Sequence, residues 1–411
     1  MGPIALFDKS FLQSLSVDES VWFDNFFIAN VCPIFHAETL ADLKKSTKHG
    51  RTPEEEVGVI ANKFPEKSGS PNAYHVSICL AELLGQDVPM KGQIVLPGGT
   101  IVDTSVGPAA VYENSPEARA FERWGQCEFS QTEYEYARLW REAIPTLDPA
   151  AVAEFMRNLG IDMQACRSLD SAKEIATNIV SGRLLLIDPM PFAFSLLKPS
   201  DGIRERIINR WRNAHCPPLN TFAPYTAHVL TVQFFFFATL SAKLVSERPS
   251  NQIDMAYLFY LPFCQLFISS DGLHRRLAPL FLRTDQEFVW GYDLKESLAQ
   301  LNNHYLTLPD VTKHGGIMSF APHPPRNMKT LVVELWDRCW PNWRKRRNRR
   351  KATTPEDTLQ FINEIESTMK SSVRRLPADT VGSIDPMAVM MERRVRRRKG
   401  TWYQVPKDLK A

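Results

Sequence analysis

The chain has 411 residues, 44% hydrophobic and 23% charged, the ordinary balance of a soluble globular protein. Seven scattered cysteines with no CxxC pair argue against a disulfide framework and against a structural zinc site. The formal net charge of +3 is unevenly spread: residues from Leu331 onward carry 19 Lys and Arg against 10 Asp and Glu, leaving an acidic body. A basic end of this kind fits a polyanion partner, although blocks of like charge are also common in solvated ends.

In chain order, PIALFD is a short apolar run closed by Asp8, the pattern of a buried strand. The opening MGPIALFDKSFL has neither the basic region nor the cleavage pattern of a signal peptide, so a cytoplasmic protein is expected. Helical tendency follows around Trp22–Ala29 and again around Phe35–Lys45. RTPEEEVGVI carries a capping box, with Thr52 as the cap, Pro53 at the first helical position and Glu55 three residues after the cap. Residues 65–115 read as loops around a short strand at QIVL, and 115–180 as mainly helical. GRLLLID (Gly182–Asp188) reads as another strand.

DGIRERIINRWRNAHCPPL is a polar-faced helix stopped by Pro217 and Pro218, and VLTVQFFFFATLSAKLV (Val229–Val245) is a buried core helix. The latter is short for a membrane span and contains Lys243, so no membrane association is expected. FAPHPPRN reads as a linker, residues 354–373 as an amphipathic helix and MERRVRRRKGTWYQVP as a basic end.

The informative stretch is IDMAYLFYLPFCQLFISSD, a mostly apolar segment bracketed by Asp254 and Asp271. A helix starting at Asp254 and ending at Pro262 would return the chain to a strand, QLFIS, that ends at Ser269-Ser270-Asp271. In an open parallel sheet, helix N-termini lie near the strands' carboxyl ends. Asp8, Asp254 and Asp271 are therefore expected at one edge. A single aspartate in such a place is usually a cap; a set of them calls for a cation, because crowded carboxylates repel.

These residues resemble the PIN-domain nucleases. The carrying features are a first strand ending Asp-x-Ser (Asp8, Ser10), a helix with AETLADL (Glu38), a helix bearing Asp254 and a strand ending Ser-x-Asp (Ser269, Asp271). The likeness spans roughly residues 3–45 and 248–301, with a far longer separation between Glu38 and Asp254 than in compact members of the family. Glu19, Asp24 or Asp188 could stand in for Glu38.

The resemblance implies an α/β fold, a PIN-like parallel sheet flanked by helices. The core would be discontinuous (1–48 and 248–305), with a mainly helical insertion contributing middle strands (49–247) and a linker plus basic extension (306–411). It also implies that Asp8, Glu38, Asp254 and Asp271 hold Mg2+ or Mn2+, with Ser10 and Ser269 beside them. The expected activity is metal-dependent hydrolysis of phosphodiester bonds by an activated water. RNA as substrate rests on family analogy alone.

Two rivals are a DNA nuclease of the related flap-endonuclease type and a catalytically silent scaffold that binds nucleic acid or protein. An inhibitory protein partner is compatible with each. Nucleic-acid contact is expected from Arg275 and Arg276, and from the run holding Trp343, Arg344, Lys345, Arg346 and Arg347. His36 and His274 lie near the acids in sequence, but packing or surface roles are the commoner fate of such histidines. His215-Cys216 has no second ligand pair.

Overall fold

A computed structural model describes residues 2–45, 50–98, 100–104, 107–112, 115–143, 148–161, 165–183, 189–345, 374–375, 389–391 and 393–409. The chain opens with β1 (Ile4–Phe7), as its apolar run predicts. Asp8 ends the strand and caps α1 (Lys9–Ser14) by accepting from the Phe11 N–H. Next, α2 (Val17–Phe26) starts on a capping box formed by Ser16 and Glu19. β2 (Ile28–Val31) then occupies part of the stretch expected to be helical, and α3 (Pro33–Leu40) follows directly. α4 (Pro53–Ala61) begins on the Thr52–Glu55 box. After it come the two-residue β3 (Ser70–Pro71) and α5 (His75–Leu83).

QIVL is not a strand. The next strands are β4 (Thr100–Thr104) and β5 (Gly107–Tyr112), an antiparallel pair. The described residues between 115 and 180 are mainly helical, as expected, and most of GRLLLID lies outside the described residues. The helix Pro224–Ser241 buries Val229, Phe234, Phe235 and Phe236, which accounts for its apolar run as core packing. Its N-terminus is capped from α5: the buried Glu82 carboxylate accepts from Tyr225 N and Thr226 N, at 2.8 Å each. No helix among the described residues is long and apolar enough to cross a membrane.

β6 (Leu266–Ser269) and β7 (Glu287–Trp290) complete a five-stranded sheet of order β3-β2-β1-β6-β7, parallel throughout. Parallel strands covered on both faces read as continuous apolar runs, which is why β1 and β6 stand out in the sequence. From β1 the chain steps outward to β2 and β3. It returns some two hundred residues later, placing β6 on the other side of β1. Such a reversal is a topological switch point, where a crevice opens outside the carboxyl ends of the strands.

The chain's end returns to this core. β8 (Arg374–Arg375) and β9 (Val389–Met391) flank β4 and β5 in a second sheet of order β8-β4-β5-β9. The hairpin β10 (Arg398–Lys399) and β11 (Trp402–Tyr403) docks on α2. Trp402 is fully buried, 4.7 Å edge-on from Trp22, and both indoles donate to Asn302 Oδ1. Buried Lys399 donates to the Phe64 carbonyl at 2.7 Å. At least from Arg393 to Gln404, the basic end is part of the packed body. The expected helix 354–373 lies outside the described residues.

Candidate active site

The carboxyl edge of the sheet is built from the ends of β1 and β6. Asp8 is 3% exposed, and its Oδ2 accepts from Ser10 Oγ at 2.7 Å and from Ser269 Oγ at 2.8 Å. Ser269 Oγ in turn accepts from Asp271 N at 2.9 Å, so one hydroxyl joins the ends of two neighbouring strands. Asp271 caps the helix Gly272–Leu277 by accepting from Leu273 N, and its side chain remains partly exposed. Asp8 and Asp271 are thus caps and also neighbours in one network.

His274, on the first turn after Asp271, completes that network. It is 1% exposed, its Nε2 donates to the Asp254 carbonyl at 2.8 Å, and its Nδ1 stands 2.9 Å from Ser269 Oγ and 3.3 Å from Asp8 Oδ2. A carbonyl only accepts, so Nε2 carries a proton. If the single Ser269 hydrogen goes to Asp8, Nδ1 must carry one too, and the ring is an imidazolium. Burial opposes that charge, but the Asp8 carboxylate outweighs it and the pKa rises to about 9. Burial pushes Asp8 up, yet the hydrogen bond and charge of His274 leave its carboxyl below the usual range.

Glu38 comes from α3. Its Oε2 accepts from the Tyr257 hydroxyl at 2.7 Å, and its Oε1 lies 3.2 Å from Lys9 Nζ. Lys9 is itself buried and also pairs with Asp42, one turn beyond Glu38, at 3.1 Å. Burial lowers the Lys9 pKa, but the two carboxylates more than reverse this and hold it raised.

Asp254 lies within the helix Ser250–Tyr257, one turn before its end, and not at the helix start. Pro262 sits inside the following 3-10 turn, Leu258–Phe263, which extends the helical path. The Asp254 carboxyl is pushed up to about 7: burial raises it, His274 partly offsets this, and the charges of Glu38, Asp271 and Asp8 raise it further. Among the described residues, no hydrogen bond or ion pair engages this carboxylate. The four predicted acids therefore act on one another electrostatically.

They do not form a closed ligand cage: among the described residues, no group of three or more His, Cys, Asp or Glu is placed to hold a metal ion. Both oxygens of Asp8 and both of Glu38 accept from or pair with internal partners, which leaves Asp254 and one oxygen of Asp271 without a hydrogen-bond partner among the described residues. One or two carboxylates with substrate phosphates are the usual protein share of a Mg2+ site, and Asp254 and Asp271 are the residues that would supply them.

The stand-ins for Glu38 have other work. Glu19 serves its capping box, Asp24 accepts from Lys67 N and Ser68 N, and Asp188 is outside the described residues. His36 is half-buried with its ring 4.8 Å from Trp124, while His215 and Cys216 are exposed. Arg275 and Arg276 are exposed beside the site. Trp343 is buried edge-on against Trp336, and Arg344 holds Asp337 with two hydrogen bonds of 2.7 Å. Lys345 is exposed; Arg346 and Arg347 lie outside the described residues.

Lys9 and Tyr257 are site residues that sequence reasoning did not single out, while His274 was noted beside the acids but expected in a packing or surface role. Their signals were present as spacings: Lys9 follows Asp8, Tyr257 is one turn after Asp254, and His274 is one turn after Asp271. No family model, no curated protein and no solved structure matches the chain.

Proposed function

We propose that the protein is a PIN-like, metal-dependent nuclease whose working carboxylates are Asp254 and Asp271, with Asp8 and Glu38 shaping the field around them. The observation that carries this reading is the Asp254 carboxyl. Burial and the charges of Glu38, Asp271 and Asp8 push it up to about 7 against the partial offset of His274, and among the described residues no hydrogen bond or ion pair engages it. Carboxylates crowded in this way are relieved of mutual repulsion by a cation, so Asp254 and Asp271 are the groups that would hold one. A bound divalent cation would stabilise charge on the phosphoryl and leaving oxygens. The Ser10–Asp8–Ser269 bridge fixes the strand ends from which Asp271 projects, so the open acids are held by rigid elements.

The test is cleavage of labelled single-stranded RNA, single-stranded DNA and both duplexes by the full chain, with Mg2+, with Mn2+ and with EDTA. Cleavage that requires the cation and is lost in D254N and D271N supports the reading. The substrate panel separates RNA from DNA as substrate.

A second reading rests on its own observation. Lys9 and His274 place two buried cations among the acids, supplying internally part of the compensation that a metal would bring. On that reading the edge is a silent scaffold. No cleavage under any cation, with nucleic-acid or protein binding unchanged in D271N, selects it.

A further inference from the structure

The geometry points to a base-stacking platform made of Trp290 and Tyr292 with Arg275, which receives an unpaired nucleobase of a single-stranded nucleic acid beside Asp271. This rests on the nuclease reading for its location and extends it to the form of the substrate.

The placement follows from the sheet. β7 pairs with β6 in parallel, and its last residue, Trp290, is the register partner of Ser269. The indole therefore stands at the same carboxyl edge, one strand over from the acids. Gly291 brings the next turn close: a Cβ there would lie 2.2 Å from Ser270 Oγ and 3.1 Å from the Ser269 carbonyl carbon. Glycine at this position lets the Trp290–Tyr292 segment press against the Ser269–Asp271 segment, and a side chain there would have to displace the Ser270 hydroxyl and crowd Phe11 and the Ser269 backbone.

The surface has the chemistry of a nucleotide. The rings of Trp290 and Tyr292 lie 5.5 Å apart and are tilted by 59°, so Trp290 buttresses Tyr292, which is 54% exposed and presents the open ring. The Arg275 guanidinium sits 4.9 Å above the Trp290 ring, on the helix that Asp271 caps. The exposed Tyr292 ring offers a stacking face to any base, and the Arg275 guanidinium, which covers one face of the neighbouring Trp290 ring, offers charge to the adjoining phosphate. Bases inside a duplex have no free face, so the platform selects single strands. A cation beside the acids also compensates the negative field that Asp254 and Asp271 present to a polyanion.

The experiment measures fluorescence anisotropy of labelled single-stranded and duplex oligonucleotides with the full chain in a D254N background, which leaves the platform intact. Y292A is expected to weaken single-strand binding about 5- to 150-fold, the range for loss of one stacked base, with duplex binding little changed. Y292F, which keeps the ring face, restores binding. R275A weakens binding and flattens its salt dependence. Equal single-strand affinity in Y292A, equal loss on duplexes, or no single-strand binding by the parent protein overturns the platform. An active nuclease whose Y292A variant binds single strands normally sinks the platform alone. Binding lost in Y292A without any cleavage sinks the nuclease reading alone.

Discussion

The imidazole of His274 faces the carboxylate of Asp8 across 3.3 Å, although the two residues are 266 positions apart and both are buried. This contact ties the helix after β6 to the end of β1, and it makes the site's electrostatics depend on pH.

The sign of that dependence follows from three shifts. His274 moves from 6.5 to about 9, so its contribution is complete below pH 6.5 and lost as the pH rises through 9. Asp254 moves from 3.8 to about 7, so ionising it costs stability as the pH climbs from 4 to 7. Asp8 is lowered, and its contribution is present above 3.8 and lost on acidification. Melting temperatures between pH 4.5 and 9.5 should fall toward alkali. D254N should flatten the acidic half of that decline and H274N the alkaline half. Superimposable profiles for wild type and both variants would show that neither group titrates as described.

Lys9→Met removes the cation between Glu38 and Asp42, whose side chains are mostly shielded from solvent. Breaking a buried pair by deleting one partner costs ~3–5 kcal/mol, because the remaining charges stay buried and unpaired. Urea unfolding of K9M measures this directly. A loss below ~1 kcal/mol would mean that water reaches the pair.

A divalent cation that binds the folded chain must raise its melting temperature by mass action. Mn2+ is expected to stabilise the wild type, and to do so less in D254N and least in the double variant D254N/D271N. Equal shifts in all three proteins would place the cation elsewhere.

Trp402→Ala tests whether the basic end belongs to the body. The indole is fully buried against Trp22 and shares the Asn302 carbonyl with it. Emptying a buried tryptophan site costs ~3–5 kcal/mol. Unfolding unchanged by W402A would make the β10–β11 hairpin a loosely attached appendage.

What was legible in the sequence was local. β1 and β6 are apolar runs closed by Asp8 and by Ser269-x-Asp271, because a strand buried on both faces must be apolar and a polar residue marks where it meets solvent. The capping box at Thr52 and the buried helix around Phe234–Phe237 are also short-range patterns, set by orphan N–H groups and by apolar density. The identity of β2 was not legible. Ile28–Val31 continues an aromatic stretch that suits a helix as well, and pairing with β1 and β3 decided the matter.

The electrostatics of the site were hidden for the same reason. A lone histidine or lysine in a sequence is ambiguous, and only the meeting of distant elements put His274 against Asp8 and Lys9 between Glu38 and Asp42. The basic end read either as a polyanion contact or as a solvated run because charge density is counted locally, whereas the burial of Trp402 and Lys399 depends on a surface formed by α2 and its neighbours. Sequence alone thus determined which segments are apolar and where they stop. Tertiary structure decided which charges face each other, because Coulomb energies in a low-dielectric interior depend on distances that no local pattern encodes.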